Sequence, residues 1–432
     1  MRLLRHWQYE NTNKGDIMSL TARDKGIIRE LASKYGELAS KGEQITRRQR
    51  MLDTNNLKIV RPTVLIDEIP WHEMNFDGSL TCLCEDDFAR DMELYFRKAL
   101  FRDKYFPCDT IFENLYPIRK SYSQTDTGLV CNDDIIVKDK GNHIVSHHYN
   151  DTLPDEEALA KIRIPEITRN YEEDIINVEK AQELLGGILP VVLRGVGVSY
   201  APWDRIPRYR GVDTVFIEMY DRPEFLHKII QKLTEIEVVT LDSYERLGLL
   251  EPDHPTIHCT PSYIDGVPLE RREDGKYKLK DMWFRSMAQM FSSVSPQMHY
   301  EFDLQYSIPL MERCAYTYYG CCEPLDNKME ILEKIPNLRK IGVSPWADVN
   351  KMAEQLGGKY VYARKPNPAN VAIKTSPEIV RRETEQTVQA CIKYGCPCEF
   401  VLKDISTVNY NPENLIVWAK TVSQTLDEYY GE

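Results

Sequence analysis

Two adjacent cysteines, Cys321 and Cys322, stand in the segment Tyr318-Tyr319-Gly320-Cys321-Cys322-Glu323-Pro324-Leu325-Asp326. Thiolates beside a carboxylate suit a zinc ion, which takes sulfur, imidazole and carboxylate ligands in tetrahedral geometry. Cys321, Cys322 and Glu323 are therefore candidate metal ligands. Neighbouring side chains on a strand point to opposite faces, so both sulfurs reach one ion only where the backbone turns. The competing reading is a small buried hydrophobe, the commoner role of cysteine. His258-Cys259 offers an imidazole able to ligate or to move a proton, or a histidine hydrogen-bonded at a loop entrance. Asp67, Glu68 and His72 crowd one short loop, where carboxylates and imidazole can ligate a metal or shuttle a proton. Lys403-Asp404 is either an ion pair facing a site or a strand-end salt bridge.

These residues are far apart in sequence, and the elements around them say what could gather them. Apolar runs occur at PTVLID (62–67), ILPVVLR (188–194), TIHCT (256–260), AQMFS (288–292), YTYYG (316–320), KIGV (340–343), YVYA (360–363) and EFVL (399–402). Each has the length and bounds of a buried parallel strand. Ser295-Pro296, Ser344-Pro345, Ser376-Pro377 and Asn411-Pro412 place a side-chain acceptor before a proline, a helix-start signature. Gly357-Gly358 and Gly395 sit where a left-handed cap ends a helix. Asp221-Arg222-Pro223-Glu224 reads as a capping box. About eight strands alternating with helices predict an α/β fold, a single (β/α)8 barrel, with an open doubly wound sheet as the alternative. Polar helical periodicity at Ile27, Ile28, Leu31 and Ala32 predicts a helical N-terminal extension over residues 1–60, before a barrel over 61–432. Residues 100–160 are a predicted insertion, with a hairpin turning at Lys138-Asp139-Lys140-Gly141-Asn142.

Barrel chemistry lies at the C-terminal strand ends. Glu68, His258, Lys403 and Asp404 are thus the expected catalytic groups, and Trp71, His72, Arg194, Tyr319, Trp346 and Arg364 the expected substrate-binding ones.

With Lys+Arg 55 against Asp+Glu 67, the formal charge is −12, which disfavours nucleic acid as a partner. No run of about 18 apolar residues is present, so no membrane span is expected. Residues 1–17 lack a secretory apolar core and read as an upstream start or extension. The 11 cysteines cannot all pair, which favours a reducing, cytoplasmic setting. The GVG at Gly195–Gly197 lacks the third glycine of a dinucleotide site.

The order SPQMHYEFDLQY, YYGCCEPLD, QLGGKYVYARKPNPANV and EFVLKDISTVNYNPENL resembles the uroporphyrinogen decarboxylase superfamily, over about residues 285–430 and more weakly at the first strand. That resemblance implies the barrel and two chemistries. The decarboxylase branch carries arginines after its first strand, but this loop reads DEIPWHEMNFDG, a poor pocket for a polyanion. The other branch holds zinc and moves methyl groups between small substrates, corrinoid proteins and thiols, through a His-x-Cys strand end and a later Cys. Cys321 matches the first Cys, Tyr319 replaces the His, and the later Cys falls near Asp404 or Ser406.

The resulting expectation is a methyltransferase, O-demethylation included. It moves a methyl group between an aromatic methyl ether or methylamine and a corrinoid carried by a partner protein, assisted by zinc. A homodimer is also expected. A cofactor-free decarboxylase of a smaller acid, with Arg194, Arg364 and Lys403 binding carboxylates, and a non-catalytic corrinoid-binding barrel are the alternatives.

Overall fold

The computed structural model describes residues 20–136, 146–252, 259–265 and 275–431. Its strands, in chain order, are β1 (Thr63–Ile66), β2 (Tyr116–Arg119), β3 (Tyr122–Gln124), β4 (Asp133–Ile136), β5 (Ser146–Tyr149), β6 (Ile167–Arg169), β7 (Val191–Arg194), β8 (Val198–Tyr200), β9 (Trp283–Ser286), β10 (Tyr316–Tyr319), β11 (Leu338–Val343), β12 (Val361–Arg364) and β13 (Cys398–Leu402). Seven of them form one sheet in the order β1-β13-β12-β11-β10-β9-β8, with every pairing parallel. From β8 to β13 the strands follow one another in chain order, with β1 returning beside the last. A doubly wound sheet reverses direction at a switch point, and none occurs along this order, which is that of a TIM-type barrel.

Among the described residues no ladder closes the sheet. β2 pairs instead with β7 in a separate parallel ribbon. That ribbon is tied to both edges of the sheet. Asp109, just upstream of β2, exchanges two 2.8 Å bonds with Val64 of β1, from Asp109 N to Val64 O and from Val64 N to Asp109 Oδ2. At the other edge β7 runs into β8 through Gly195, where a Cβ would fall 2.1 Å from Leu249 O.

Of the eight apolar runs, six lie on strands, AQMFS does not, and TIHCT falls partly outside the described residues. AQMFS is a 3-10 turn (Gln289–Ser293), and the strand lies upstream at Trp283–Ser286. Trp283 and Phe284 supply its β propensity and both faces are buried. Residues 256–258 of TIHCT lie outside the described residues, and Cys259-Thr260 is not in a strand. The run ILPVVLR contributes β7 to the ribbon rather than to the large sheet.

The helix starts show the same mixture. Ser295 and Ser376 cap their helices, accepting from Met298 N at 3.2 Å and Ile379 N at 3.4 Å. After β11 the cap is Asp348, not Ser344. Arg222 precedes the helix Pro223–Arg246 without a side-chain cap bond. Helices Ala22–Ala39 and Glu43–Asn55 form at the N-terminal side, with Ile28, Leu31 and Ala32 buried in one cluster with Ala89, Met92 and Phe96 of the helix Asp87–Tyr105. In the 100–160 region β4 and β5 pair antiparallel; the expected turn between them lies outside the described residues.

Strand alternation divides the sheet's side chains between two layers. Val64, Phe284, Tyr319, Ile341, Tyr362 and Phe400 join the main core against the helices. Leu65, Trp283, Tyr318, Ala363 and Val401 face inward, around Cys259, Tyr263 and Ile264. The segment Cys259–Ile264 thus fills part of the sheet's concave side. Polar bonds hold it there: Lys340 Nζ donates to Thr260 Oγ1 (2.7 Å), Pro261 O (2.9 Å) and Glu399 Oε2 (2.6 Å), and Thr260 donates to Glu399. Asn55 Nδ2 donates to Tyr263 O at 2.5 Å.

Candidate active site

The ends of β1, β10 and β13 bring together Glu68, Cys321, Cys322, Lys403 and Asp404. Gly320 makes this possible at β10. Its φ of 104° is costly for any side chain, and a Cβ would meet Leu325 Cδ1 at 2.7 Å and Gly342 N at 3.3 Å. The turn removes the strand's alternation, so the two sulfurs stand 3.9 Å apart instead of on opposite faces. The sequence carried that signal, a glycine immediately before the cysteine pair.

Lys403 continues the inward row of β13 past Val401. Its Nζ donates to Cys321 Sγ at 2.7 Å and lies 2.9 Å from Asp404 Oδ2. The Cys322 thiol donates to Asp404 Oδ2 at 2.7 Å. Asp404 has a left-handed backbone, φ 59°, and its N–H donates to Glu68 Oε2 at 2.7 Å. One row of contacts therefore joins Glu68, Asp404, Lys403 and Cys321. Cys259 adds a third thiol beside Cys321, and the Lys365 ammonium fixes the Cys259 carbonyl at 2.6 Å.

Charge follows from this packing. Burial opposes the Lys403 charge, but Cys321, Cys259, Cys322 and Asp404 outweigh it and raise the ammonium well above its ordinary range. Bonds from Cys259 and Cys322, then burial, push the Cys321 thiol up against the pull of Lys403. Burial also raises Asp404, but Lys403 and the Cys322 thiol win and hold it below the usual carboxylate range. Glu68 goes the other way: burial first, then the charges of Asp404 and Asp67, push its carboxyl up. Two neighbouring carboxyl groups, on residues joined by the Asp404 N–H bond to Glu68, are thus shifted in opposite directions, Asp404 down and Glu68 up.

The expected zinc set is not what these residues assemble. Both oxygens of Glu323 accept backbone N–H groups, from Cys321 at 3.0 Å and Ala288 at 3.2 Å, so Glu323 shapes the loop. The space between Cys321 Sγ and Asp404 Oδ2, where an ion would sit, is taken by the Lys403 ammonium. Among the described residues no group of three or more His, Cys, Asp or Glu is placed to hold a metal. The donor set as folded does not fit zinc, and no chemistry is routed through it below. His258 lies outside the described residues.

Of the expected substrate-binding residues, none lies in this row. Tyr319 is fully buried on the outer face of β10, its phenol donating to Asp303 Oδ2 at 2.7 Å and bonded to His299 Nε2 at 2.5 Å. Trp346 is 69% exposed. Trp71 packs edge-on to Phe101 with the Arg102 guanidinium over its ring. His72 faces Glu73 at 3.3 Å, and Glu73 accepts from Thr407, Val408 and Tyr410, holding the loop after Asp404. Arg194 pairs with Glu113 and Glu251. Arg364 is held by Ser344 O at 2.8 Å and Glu383 at 3.0 Å. Trp71, His72, Arg194 and Arg364 are thus engaged by neighbouring residues, Tyr319 belongs to the core, and Trp346 is left exposed.

Arg285 was not anticipated. It lies on β9 facing inward, and its Nη2 donates to Cys321 Sγ at 3.8 Å and Met287 Sδ at 2.8 Å. Its signal was a lone arginine inside the apolar run MWFRSMAQMF, masked because the strand was placed too late in the sequence. Asp204 also interacts with Arg285 and Lys403, with burial pushing its carboxyl up and Gln289 Nε2 donating to it at 2.9 Å.

The sheet order and strand-end cluster define an α/β protein of TIM-type architecture with a thiol, ammonium and carboxylate centre. No family model and no curated protein matches the sequence. Among solved structures, the chain is similar to a methyltransferase from Methanosarcina mazei, with a TM-score of 0.50 at 12% identity, over 89% of this chain and 99% of that one. At that identity the likeness is one of fold. No helix of the described residues is long and apolar enough to cross a membrane.

Proposed function

We propose that this chain is a methyltransferase that demethylates a small aryl methyl ether or methylamine and passes the methyl group to a corrinoid protein. The observation that carries the reading is the Glu68–Asp404–Lys403–Cys321 row at the strand ends, the place where barrels of this type do chemistry. The fold likeness to a methyltransferase supports it. A reduced corrinoid in the partner supplies the nucleophile that takes the methyl group. What the chain must supply is a proton: as the methyl–heteroatom bond breaks, its electron pair stays on the oxygen or nitrogen, which is a poor leaving group unless protonated. Glu68, whose carboxyl is pushed up by burial and by the charges of Asp404 and Asp67, is the donor. Lys403, held by Asp404 and Cys321, is a fixed cation that stabilises negative charge developing on the leaving atom.

The test is anaerobic turnover of aryl methyl ethers and methylamines with cob(I)alamin as acceptor, followed by its absorbance change. Wild type is expected to turn over at least one substrate. Glu68→Gln keeps an oxygen to accept from Asp404 N–H but has no acidic proton, and should fall by about 10²–10⁴-fold. No turnover by wild type, or full activity in Glu68→Gln, refutes the reading.

A second reading, decarboxylation of a small acid without a cofactor, is favoured by two buried cations, Arg285 and Lys403, at the same centre. Release of CO2 from an acid without any methyl acceptor would decide for it.

A further inference from the structure

Four cations project from the inward rows of the sheet, and three are accounted for within the protein. Lys340 is paired with Glu399 at 2.6 Å. Lys365 is bonded to the Cys259 carbonyl. Lys403 is bonded to Cys321 and Asp404. Arg285 is different. It is 6% exposed, and among the described residues its hydrogen-bond acceptors are two sulfurs, both reached from Nη2. Its buried Nε has no acceptor among the described residues. Thioether and thiol are weak acceptors, and a buried guanidinium left without oxygen partners is costly. Asp204 acts on it at longer range, with one oxygen already engaged by Gln289.

The register shows where a partner could enter. Ser199 of β8 is opposite Arg285 of β9, so the two side chains share the inward face. Ser199 is exposed, which places solvent beside Arg285 on the same face as Lys403. A planar guanidinium whose Nε is unpartnered among the described residues and whose Nη2 meets only sulfur matches a two-oxygen anion better than a point charge does.

We propose that Arg285, with Lys403 beside Cys321, binds the carboxylate of the substrate, so that the methylated compound is an acid rather than a neutral ether or amine. The inference rests on the methyltransferase reading for the substrate's methyl group, but the anion site itself does not depend on it. The guanidinium accepts the carboxylate in place of Met287 and Cys321, and the carboxylate fixes the ring or chain so that its heteroatom faces Glu68.

The test is calorimetric binding of acetate, benzoate and 3-methoxybenzoate, each against its amide, to the full chain. At least one acid should bind ten-fold or more tightly than its amide. Arg285→Gln should abolish that preference and Arg285→Lys should keep part of it, with melting temperatures confirming that both variants fold. Equal binding of acids and amides, no binding of any acid at millimolar concentration, or an undiminished preference in Arg285→Gln overturns the proposal. Acid preference without methyl transfer refutes the methyltransferase reading and keeps the anion site. Methyl transfer from neutral ethers without acid preference does the reverse.

Discussion

Lys403 Nζ lies 2.7 Å from Cys321 Sγ and 2.9 Å from Asp404 Oδ2, so an ammonium stands where the donors of a thiolate-held ion would converge. The like charges of Lys403 and Arg285 oppose a divalent cation there. Elemental analysis of the purified protein is expected to find zinc well below one equivalent, with Cys321→Ala leaving the metal content unchanged. Stoichiometric zinc that is lost in Cys321→Ala would show that the ammonium does not hold that position.

Glu68 sets the pH dependence of turnover. Its folded carboxyl is raised above the ordinary value of 4.5 by burial and by Asp404 and Asp67, and it must be protonated to act as the acid. Activity is therefore expected to be present below the raised value and to fall as pH rises through it, at a pH higher than for an unshifted glutamate. Glu68→Gln should flatten this limb as well as lower the rate. A wild-type kcat with no falling limb as pH rises, or the same falling limb in Glu68→Gln, would remove Glu68 from the proton-donating role.

Gly320 is the hinge of the cysteine pair. Gly320→Ala forces a side chain into a left-handed backbone and against the buried Leu325. A loss of about 1–3 kcal/mol is expected, or a melting temperature lower by several degrees, together with altered reactivity of Cys322 to a thiol reagent. Unchanged melting and unchanged thiol reactivity would mean that the turn is not constrained as described.

Lys340 and Glu399 pin the Cys259 segment from the opposite end of the concave face, and both are almost wholly buried. Lys340→Met strands a buried carboxylate and should cost about 3–5 kcal/mol in denaturant unfolding. The double variant Lys340→Met/Glu399→Leu should lose less than the sum of the two single changes. Additive losses would show that the pair does not act as a unit.

The sequence by itself determined the succession of elements, because that information is local. Apolar runs of strand length, serines before prolines at 295 and 376, and Gly395 after a helix each act on their immediate neighbours, and most of the strands at and after β10 lie where their residues predict. It also determined that Cys321, Cys322, Lys403, Asp404 and Glu68 fall at strand ends, since that follows from counting. Only the tertiary structure decided what those groups do. Whether Glu323 ligates or shapes a loop depends on two backbone N–H groups that the turn at Gly320 brings to it. Tyr319 and Tyr318 are adjacent in sequence, yet strand alternation sends one into the helix-facing core and the other toward Cys259. The placement of Arg285 waits on a strand register, and the charge states of Glu68 and Asp404 on contacts between chain segments hundreds of residues apart. Proton affinity, and with it reactivity, is set by neighbours in space, and those neighbours exist only once the sheet has formed.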